Sequence, residues 1–396
     1  MDAFYMAAGS TINPYALLML LFGVVGGIVV GAIPGMTANM AVAIMTSLSF
    51  GMDSMIAIML LIGVYFGSMY GGSIAAILLH IPGTPSAVMT TKDGYPMAQR
   101  GEAGPAIGIA TFSSFSGGMI SMILLIVAAP IISRLALRFS APEYFALAVF
   151  GLSIVASLDA ESLARGITSA ILGVLICMVG MDPITGIQRF SFGIPQLSDG
   201  ISFISVMIGL FGMSEILKQL SSSSGSYVIQ KLSHIIPSRA MMRRLYPTIL
   251  RSSLIGTGIG ALPGAGGSIA CFVAYDYIKR HSKNPEEFGT GIPEGIAAPE
   301  SANNAVTGGA LMPLLTLGVP GDSVTAIMLG AFILHKISPG ATLFIEHPDV
   351  IYGIYISGIL ANCFMCLVGF AAAGFFARLI SFPKYILLPV SSSSFR

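Results

Sequence analysis

The chain has 396 residues, of which 55% are hydrophobic and only 9% charged, with a formal net charge of +1. A soluble domain carries about 25% charged residues and could not cover its surface with so few, so the composition excludes a soluble globular protein and describes a polytopic membrane protein. No basic patch with interleaved aromatics accompanies the near-neutral charge, so no nucleic-acid partner is expected.

Residues 1–14 hold no Lys or Arg, so the basic start of a secretory signal is missing. The apolar run 15–33, about 28 Å as a helix, reads as a first retained span. Further spans are predicted near 54–70, 106–133, 144–158, 166–181, 201–215 and 351–377, and the run 383–390 reads as the start of another. Between them Lys218, Lys231, Arg239, Arg243, Arg244 and Arg251 form a basic linker containing the flexible joint SSSSGS (221–226). The positive-inside rule places it in the cytoplasm. Glycines recur four apart at Gly23, Gly27, Gly31 and Gly35, at Gly63, Gly67 and Gly71, and at Gly256, Gly260 and Gly264. Each ladder puts a smooth stripe on one helix face, which suits close packing in lipid. Cys177, Cys271, Cys363 and Cys366 lie in apolar runs and read as inert thiols. The last two have C-x-x-C spacing, but mid-helix and without a second pair or a His for zinc.

The chain repeats itself across the linker. GGIVVGAIPG (26–35) resembles IGTGIGALPG (255–264) at an offset of 229, and GGSIAAILLHIPG (71–83) resembles GALMPLLTLGVPG (309–321) at an offset of 238. The charged insert around KRHSKNPEEFG (279–289) accounts for the growth of the offset. The expected organisation is a first transmembrane repeat (1–215), a basic cytoplasmic linker (216–251) and a second repeat (252–396). The fold class is an all-α polytopic membrane protein of two repeats with broken or re-entrant helices and roughly 9–12 membrane segments.

Both copies carry Pro-Gly interruptions: Pro34-Gly35, Pro82-Gly83, Pro263-Gly264 and Pro320-Gly321. A break inside a membrane helix frees N–H and C=O groups that lipid cannot satisfy, so it persists only when buried in protein or lining a wet cavity. A half-helix starting after such a break aims a partly positive end at that cavity, which suits an anion. Paired interruptions in duplicated halves are the sequence mark of a secondary transporter's binding site. Residues 252–262 and 267–279 are each too short to cross alone, at about 16 and 20 Å. Basic residues flank both ends, which fits a hairpin opening to the cytoplasm; a single kinked helix is the alternative. The longer run 15–33 suggests that the halves are not copies in detail.

The stretches GAIPGMTANMAVAI, YFGSMYGGSIAAILLHIPGTPSAVMTTKDGYPMAQRGEAG, GALPGAGGSIA and APESANNAVTGGALMPLLTLGVPGDSVTAIMLGA resemble the large membrane subunit (TctA) of tripartite tricarboxylate transporters, from about residue 15 to 390. The resemblance implies a permease of the bacterial inner membrane. It implies two partners, a small four-span membrane subunit and a periplasmic carboxylate-binding protein, and uptake driven by an H⁺ or Na⁺ gradient with no other cofactor and no metal. The chain departs from the family in having His80 where Asn is usual. It also ends at SSSSFR after FPKYILLPV, where members continue, so its last membrane region is expected to be incomplete.

Segments 31–47, 65–89, 257–271 and 299–328 contain no Lys or Arg, so a carboxylate held there must meet backbone N–H groups and neutral donors. The candidates are Thr37, Asn39, Ser73, Thr84, Ser86, Ser268, Asn303, Asn304, Ser323 and Thr325. Any one hydroxyl in an apolar helix can instead bond back to its own helix. Glu300 and Asp322 beside the breaks are candidates for ion coupling, with helix capping the alternative for Asp322 and a structural network for Glu300. His80 reads as a buried His satisfied by backbone, with a proton relay the alternative. Alone, 91–105 reads as a solvated turn; the resemblance suggests gating. A carboxylate permease is favoured over an intramembrane enzyme, which would need a nucleophile with a base in reach, and over an anion channel, which would need a continuous pore.

Overall fold

The computed structural model describes residues 2–33, 36–140, 163–181, 187–194 and 235–375, with positions 142, 143, 145, 146, 149, 150, 197, 200, 201 and 206. Pro34 and Gly35, most of the spans expected near 144–158 and 201–215, the SSSSGS joint and the run 383–390 lie outside the described residues.

Helices dominate: α1 (Asp2–Thr11), α2 (Pro14–Ala32), α3 (Ala38–Leu48), α4 (Ser54–Leu79), α5 (Val88–Met97), α6 (Ala103–Ala136), α7 (Leu163–Cys177), α8 (Arg239–Gly260), α9 (Gly266–Arg280), α10 (Pro293–Leu317), α11 (Ser323–Leu334), α12 (Leu343–Glu346) and α13 (Pro348–Ala371). One two-residue strand pair, Gly180–Met181 with Gln188–Arg189, is the strand structure among the described residues. Helix starts follow capping chemistry. Asn13 accepts from the Ala16 N–H at 2.9 Å ahead of Pro14, and the Asp53 carboxylate accepts from the N–H groups of Met55 and Ile56. Four helical stretches are long and apolar enough to cross a membrane: Pro14–Ala32, Ser54–Leu79, Pro85–Ala136 and Pro348–Ala371. Shorter apolar helices at Ala38–Leu48, Ala164–Cys177 and Ser323–Leu334 accompany them. α4 is apolar around its whole circumference and is buried accordingly, at the centre of the largest core cluster.

The glycine ladders set the central contacts. Gly27 and Gly31 of α2 press on the backbone of Val64 and Ser68 of α4, and Gly71 answers on Ile28, so α2 and α4 run parallel with their backbones touching. α8 and α10 repeat this: Gly256 meets Ala302, Gly260 meets Val306 and Gly309 meets Thr257. These are the same residue pairs moved by 229 in one helix and 238 in the other. The likeness extends to detail that the unequal apolar runs did not suggest. α4 ends on His80 with φ 57° and α10 ends on Gly318 with φ 69°, both left-handed, at matching positions. Such a cap favours Gly or Asn, so His80 holds this conformation less readily than Gly318 does.

Each repeat then folds back. α9 returns along α8: Arg244, Thr248 and Arg251 near the start of α8 line one cavity with Ile278 and His281 at the end of α9. This is a hairpin and not one kinked helix. The basic stretch from Arg239 to Arg251 is part of α8. In the first half Met45 of α3 packs on Gly26 of α2. After α4 the chain doubles back, so that the Gly83 N–H bonds the Gly72 carbonyl at 3.2 Å, about 10 Å below the helix end. It then climbs again through a 3-10 turn (Pro85–Ala87) and α5, where Gly94 abuts Ile77.

The relative direction of the halves follows. α9 runs beside α5 in the same sense, with Gly267 at Ser86 and the Tyr275 hydroxyl on Asp93 at 2.8 Å. α5 points with α4 whereas α9 points against α8, so α8 and α10 run opposite to α2 and α4. The two halves are inverted with respect to each other. α3 and α11 form the matching parallel pair, joined by Ser323 to Asn39 at 3.1 Å and Ser49 to His335 at 3.0 Å.

The stretch 91–105 is not a solvated turn. It forms the end of α5, a π-helical segment (Ala98–Glu102) and the start of α6. The Asp93 carboxylate is buried and accepts from the N–H groups of Gly289, Gly291 and Ile292, while the Arg100 guanidinium donates to the carbonyls of Thr290 and Gly291. The first half thereby holds the connection between α9 and α10.

Candidate substrate site

The described interruptions converge. The Gly264 N–H donates to the Gly321 carbonyl at 2.8 Å, tying the third break to the fourth. A side chain on Gly321 would stand 2.5 Å from the Gly260 carbonyl oxygen, and one on Gly83 would strike the carbonyl of Gly31, two residues short of the first break's last described residue, Ile33. Across the halves, Gly267 beyond the third break faces Ser86 beyond the second. Asn39 beyond the first break meets Ser323 beyond the fourth. Pro263, Gly83 and Gly321 are buried, and Pro82, Gly264 and Pro320 half-buried. The four half-helices α3, α5 with its 3-10 turn, α9 and α11 therefore all start from one central region.

The polar candidates fall into two groups there and a remainder outside. Around the start of α9 stand Thr84 and Ser86, buried with their hydroxyls 3.1 Å apart, half-buried Ser268, and Asn303 of α10. Asn303 is wholly buried; its Nδ2 donates to the Met69 carbonyl at 2.9 Å, and its Oδ1 has no partner among the described residues. Around the start of α11 stand Asn39, exposed Ser323 and buried Thr325, while Thr37 caps α3 by accepting from the Met40 N–H at 3.3 Å. A side chain on Gly266 would lie 3.8 Å from the Asp322 Cβ, so the groups adjoin. Ser73 is back-bonded to the Tyr70 carbonyl at 2.6 Å, and Asn304 lies on α10 with its Nδ2 3.4 Å from the Glu300 carbonyl.

Both acids are buried, in different settings. Asp322 caps α11: Oδ1 accepts from the N–H and hydroxyl of Thr325, each at 2.7 Å, and Oδ2 accepts from the Tyr65 hydroxyl at 2.7 Å. Glu300 accepts from the Thr90 hydroxyl at 2.5 Å and the Ser114 hydroxyl at 2.9 Å. Its partners come from α5 and α6, so the carboxylate links three helices through neutral donors. Among the described residues no three His, Cys, Asp or Glu side chains gather to hold a metal. At the end of α4 His80 is exposed and not buried as expected, and its ring meets that of Tyr95 at a tilt of 51°, with centroids 4.4 Å apart.

A buried polar centre built from helix interruptions belongs to membrane carriers, and comparison with known proteins makes the assignment specific. The model of the tripartite tricarboxylate transporter TctA family matches residues 17–392. The chain belongs to this family. An uncharacterized 52.8 kDa protein of Agrobacterium vitis, from the 3' region of ttuC' in TAR-I, is 37% identical over 381 residues, covering 96% of this chain and 76% of the relative. A second uncharacterized protein of the same organism, from the corresponding region of TAR-II, is 40% identical over 134 residues, covering 34% of this chain and 55% of the relative. No solved structure matches. The TctA-family chain is thus a multi-pass membrane protein and a transporter subunit of a system with further subunits.

Sequence reasoning passed over Tyr65, Thr90, Ser114 and Gly267. Tyr65 was findable, since it stands 238 residues before Asn303 and so occupies the same place in the other repeat. Thr90 and Ser114 carried no signal, being hydroxyls whose partner lies about 200 residues away on another helix.

Proposed function

We propose that the chain is the permease subunit of a binding-protein-dependent secondary transporter that takes up tricarboxylates or related carboxylates, driven by an H⁺ or Na⁺ gradient. The observation that carries this reading is the convergence of helix interruptions on a buried centre whose segments hold no Lys or Arg. Uncapped helix starts and neutral donors can hold an acid anion there without a fixed cation. The basic start of α8 lies in the cytoplasm by the positive-inside rule, which puts the start of α2 outside. A periplasmic protein delivers the carboxylate to the outer face, beside a small four-span membrane subunit in the inner membrane. One bundle then moves against the other, and Glu300 and Asp322 are the groups offered for the coupling ion.

The test is uptake of labelled carboxylates into vesicles carrying all three components, with Na⁺ present or replaced. The expected result is saturable uptake that collapses with the ion gradient and falls at least about tenfold in a correctly inserted Asn303→Ala, Asn304→Ala double variant. Unchanged uptake by that variant would refute the site.

A further inference from the structure

At the end of the α8–α9 hairpin remote from the break lies a cavity of about 310 Å³, at the small end of ligand pockets. Three cations line it, Arg244, Arg251 and Lys283, against two carboxylates, Glu287 and Glu294. Arg244 is already engaged: its Nε and Nη2 donate to Glu294 at 2.6 and 3.1 Å. Arg251 and Lys283 have no ion-pair partner among the described residues. Glu287 accepts from the neutral Asn284 amide at 2.9 Å. One positive charge is in excess, and the two unpaired cations repel each other unless an anion joins them.

The level of the cavity narrows the kind of anion. Arg251 stands nine residues before Gly260 at the end of α8, and Ile278 twelve residues after Gly266 at the start of α9. At 1.5 Å per residue both lie about 14–18 Å from the central region. Half of a ~30 Å hydrocarbon core is about 15 Å, so the cavity lies where acyl chains meet headgroups. Arg244, Thr248, Arg251, Leu254 and Gly258 recur three and four apart and share one face of α8. That face is polar at the cavity. Toward the break Leu254 is 50% exposed, and Gly258 has nothing within 4 Å of its Cβ position. α9 exposes Ile269, Phe272 and Val273 over the same depth.

We propose that this cavity binds the phosphodiester headgroup of an anionic phospholipid of the cytoplasmic leaflet, with Arg251 and Lys283 on the phosphate and an acyl chain along the face of Leu254 and Gly258. Basic pockets between membrane helices on the cytoplasmic side hold lipid headgroups in this way. A hydroxylated headgroup, as in phosphatidylglycerol, adds donors for Glu287, which as a carboxylate can only accept. A soluble phosphate meets the same two cations but gains nothing from the apolar face. A headgroup bearing its own ammonium leaves the excess charge uncompensated. The bound lipid ties α8 to the connection that carries Lys283. The site uses no residue of the central region, so it does not depend on what the chain transports.

The test uses the full chain purified in detergent and stripped of lipid. Dioleoylphosphatidylglycerol is expected to raise the melting midpoint by about 3 °C or more, dioleoylphosphatidylethanolamine by about half as much or less, and glycerol 3-phosphate not at all. Arg251→Gln combined with Lys283→Gln, both at exposed positions, is expected to remove the phosphatidylglycerol increment while the lipid-free midpoint stays within about 2 °C. Arg134→Gln combined with Arg138→Gln, an equal loss of charge around the end of α6, is expected to keep the increment. A second readout needs no variant: phosphatidylglycerol with a photoactivated diazirine in its acyl chain is expected to label the wild type within residues 252–278. An equal shift from phosphatidylethanolamine, a shift from glycerol 3-phosphate, no shift from any of the three, or an increment lost equally in both double variants overturns the proposal. So does label confined to other segments. Label that disappears when the small membrane subunit is present gives this face to that protein and overturns the proposal as well.

Discussion

Asp93 offers the clearest test of how the two halves are joined. Its wholly buried carboxylate accepts from the Tyr275 hydroxyl at 2.8 Å and from the N–H groups of Gly289, Gly291 and Ile292 at 2.9, 2.8 and 3.1 Å. Asp93→Ala removes the acceptor and strands four donors. Gly289 is exposed, so water replaces its bond, whereas Tyr275 and Gly291 are buried and Ile292 half-buried. At about 1–2 kcal/mol for each stranded donor, the three sheltered ones put the loss at about 3–6 kcal/mol. Asp93→Asn keeps Oδ1 for the three N–H groups and turns an NH₂ toward the Tyr275 oxygen, so its cost is about 1–2 kcal/mol. Thermal unfolding of the purified full chain should show Ala lowering the midpoint by roughly 5 °C or more, with Asn between it and wild type. Limited trypsin digestion should cut faster at Lys279, Arg280 and Lys283 in the Ala variant, because the connection they adjoin has lost its anchor. An Ala variant that melts within about 1 °C of wild type with an unchanged digest would refute the reasoning.

Other outcomes follow from the packing. Gly67→Leu would drive a side chain into the Val24 carbonyl, so its yield of folded protein in the membrane should collapse, while Gly9→Ala, with open space around it, should be neutral. His80→Asn should raise the melting midpoint or leave it level, since Asn tolerates the left-handed φ of 57° better; a fall would mean that the tilted His80–Tyr95 ring contact outweighs the backbone preference. In a background lacking Cys177, Cys363 and Cys366, Asn13→Cys should react with an impermeant maleimide in intact cells, and Lys283→Cys only after permeabilisation. Labelling of both from one side would contradict the inversion of the halves.

Much of the architecture was legible because glycine and proline leave strong marks in an apolar sequence. The ladders Gly27–Gly31 and Gly256–Gly260 became the places where backbones touch, and the offsets of 229 and 238 recur in the contacts themselves. Asp322 was legible as a helix cap because Asp after Pro-Gly is a local signal, and it caps α11. Inversion was not legible, because it depends on which half-helices lie side by side, and α5 and α9 are separated by about 180 residues. The stretch 91–105 was misread for a related reason. Lys92, Asp93, Arg100 and Glu102 look solvated as a string, but the groups that bury Asp93 and engage Arg100 lie at 275 and 289–292. The placement of Ser73 against its own helix, and of Thr84 and Ser86 at the centre, could not be separated in advance, since all three are hydroxyls within 14 residues of each other.

The inverted pairing of glycine ladders has a consequence for motion. Two halves that share one pattern of backbone contacts, and face opposite sides, hold between them the template for a second arrangement in which each takes the shape now held by the other. Such an exchange would keep the shared backbone contacts, so its energetic bias must come from the positions where the copies differ. His80 opposite Gly318 and Tyr65 opposite Asn303 are the first of these, and they are where the resting orientation of the carrier would be set.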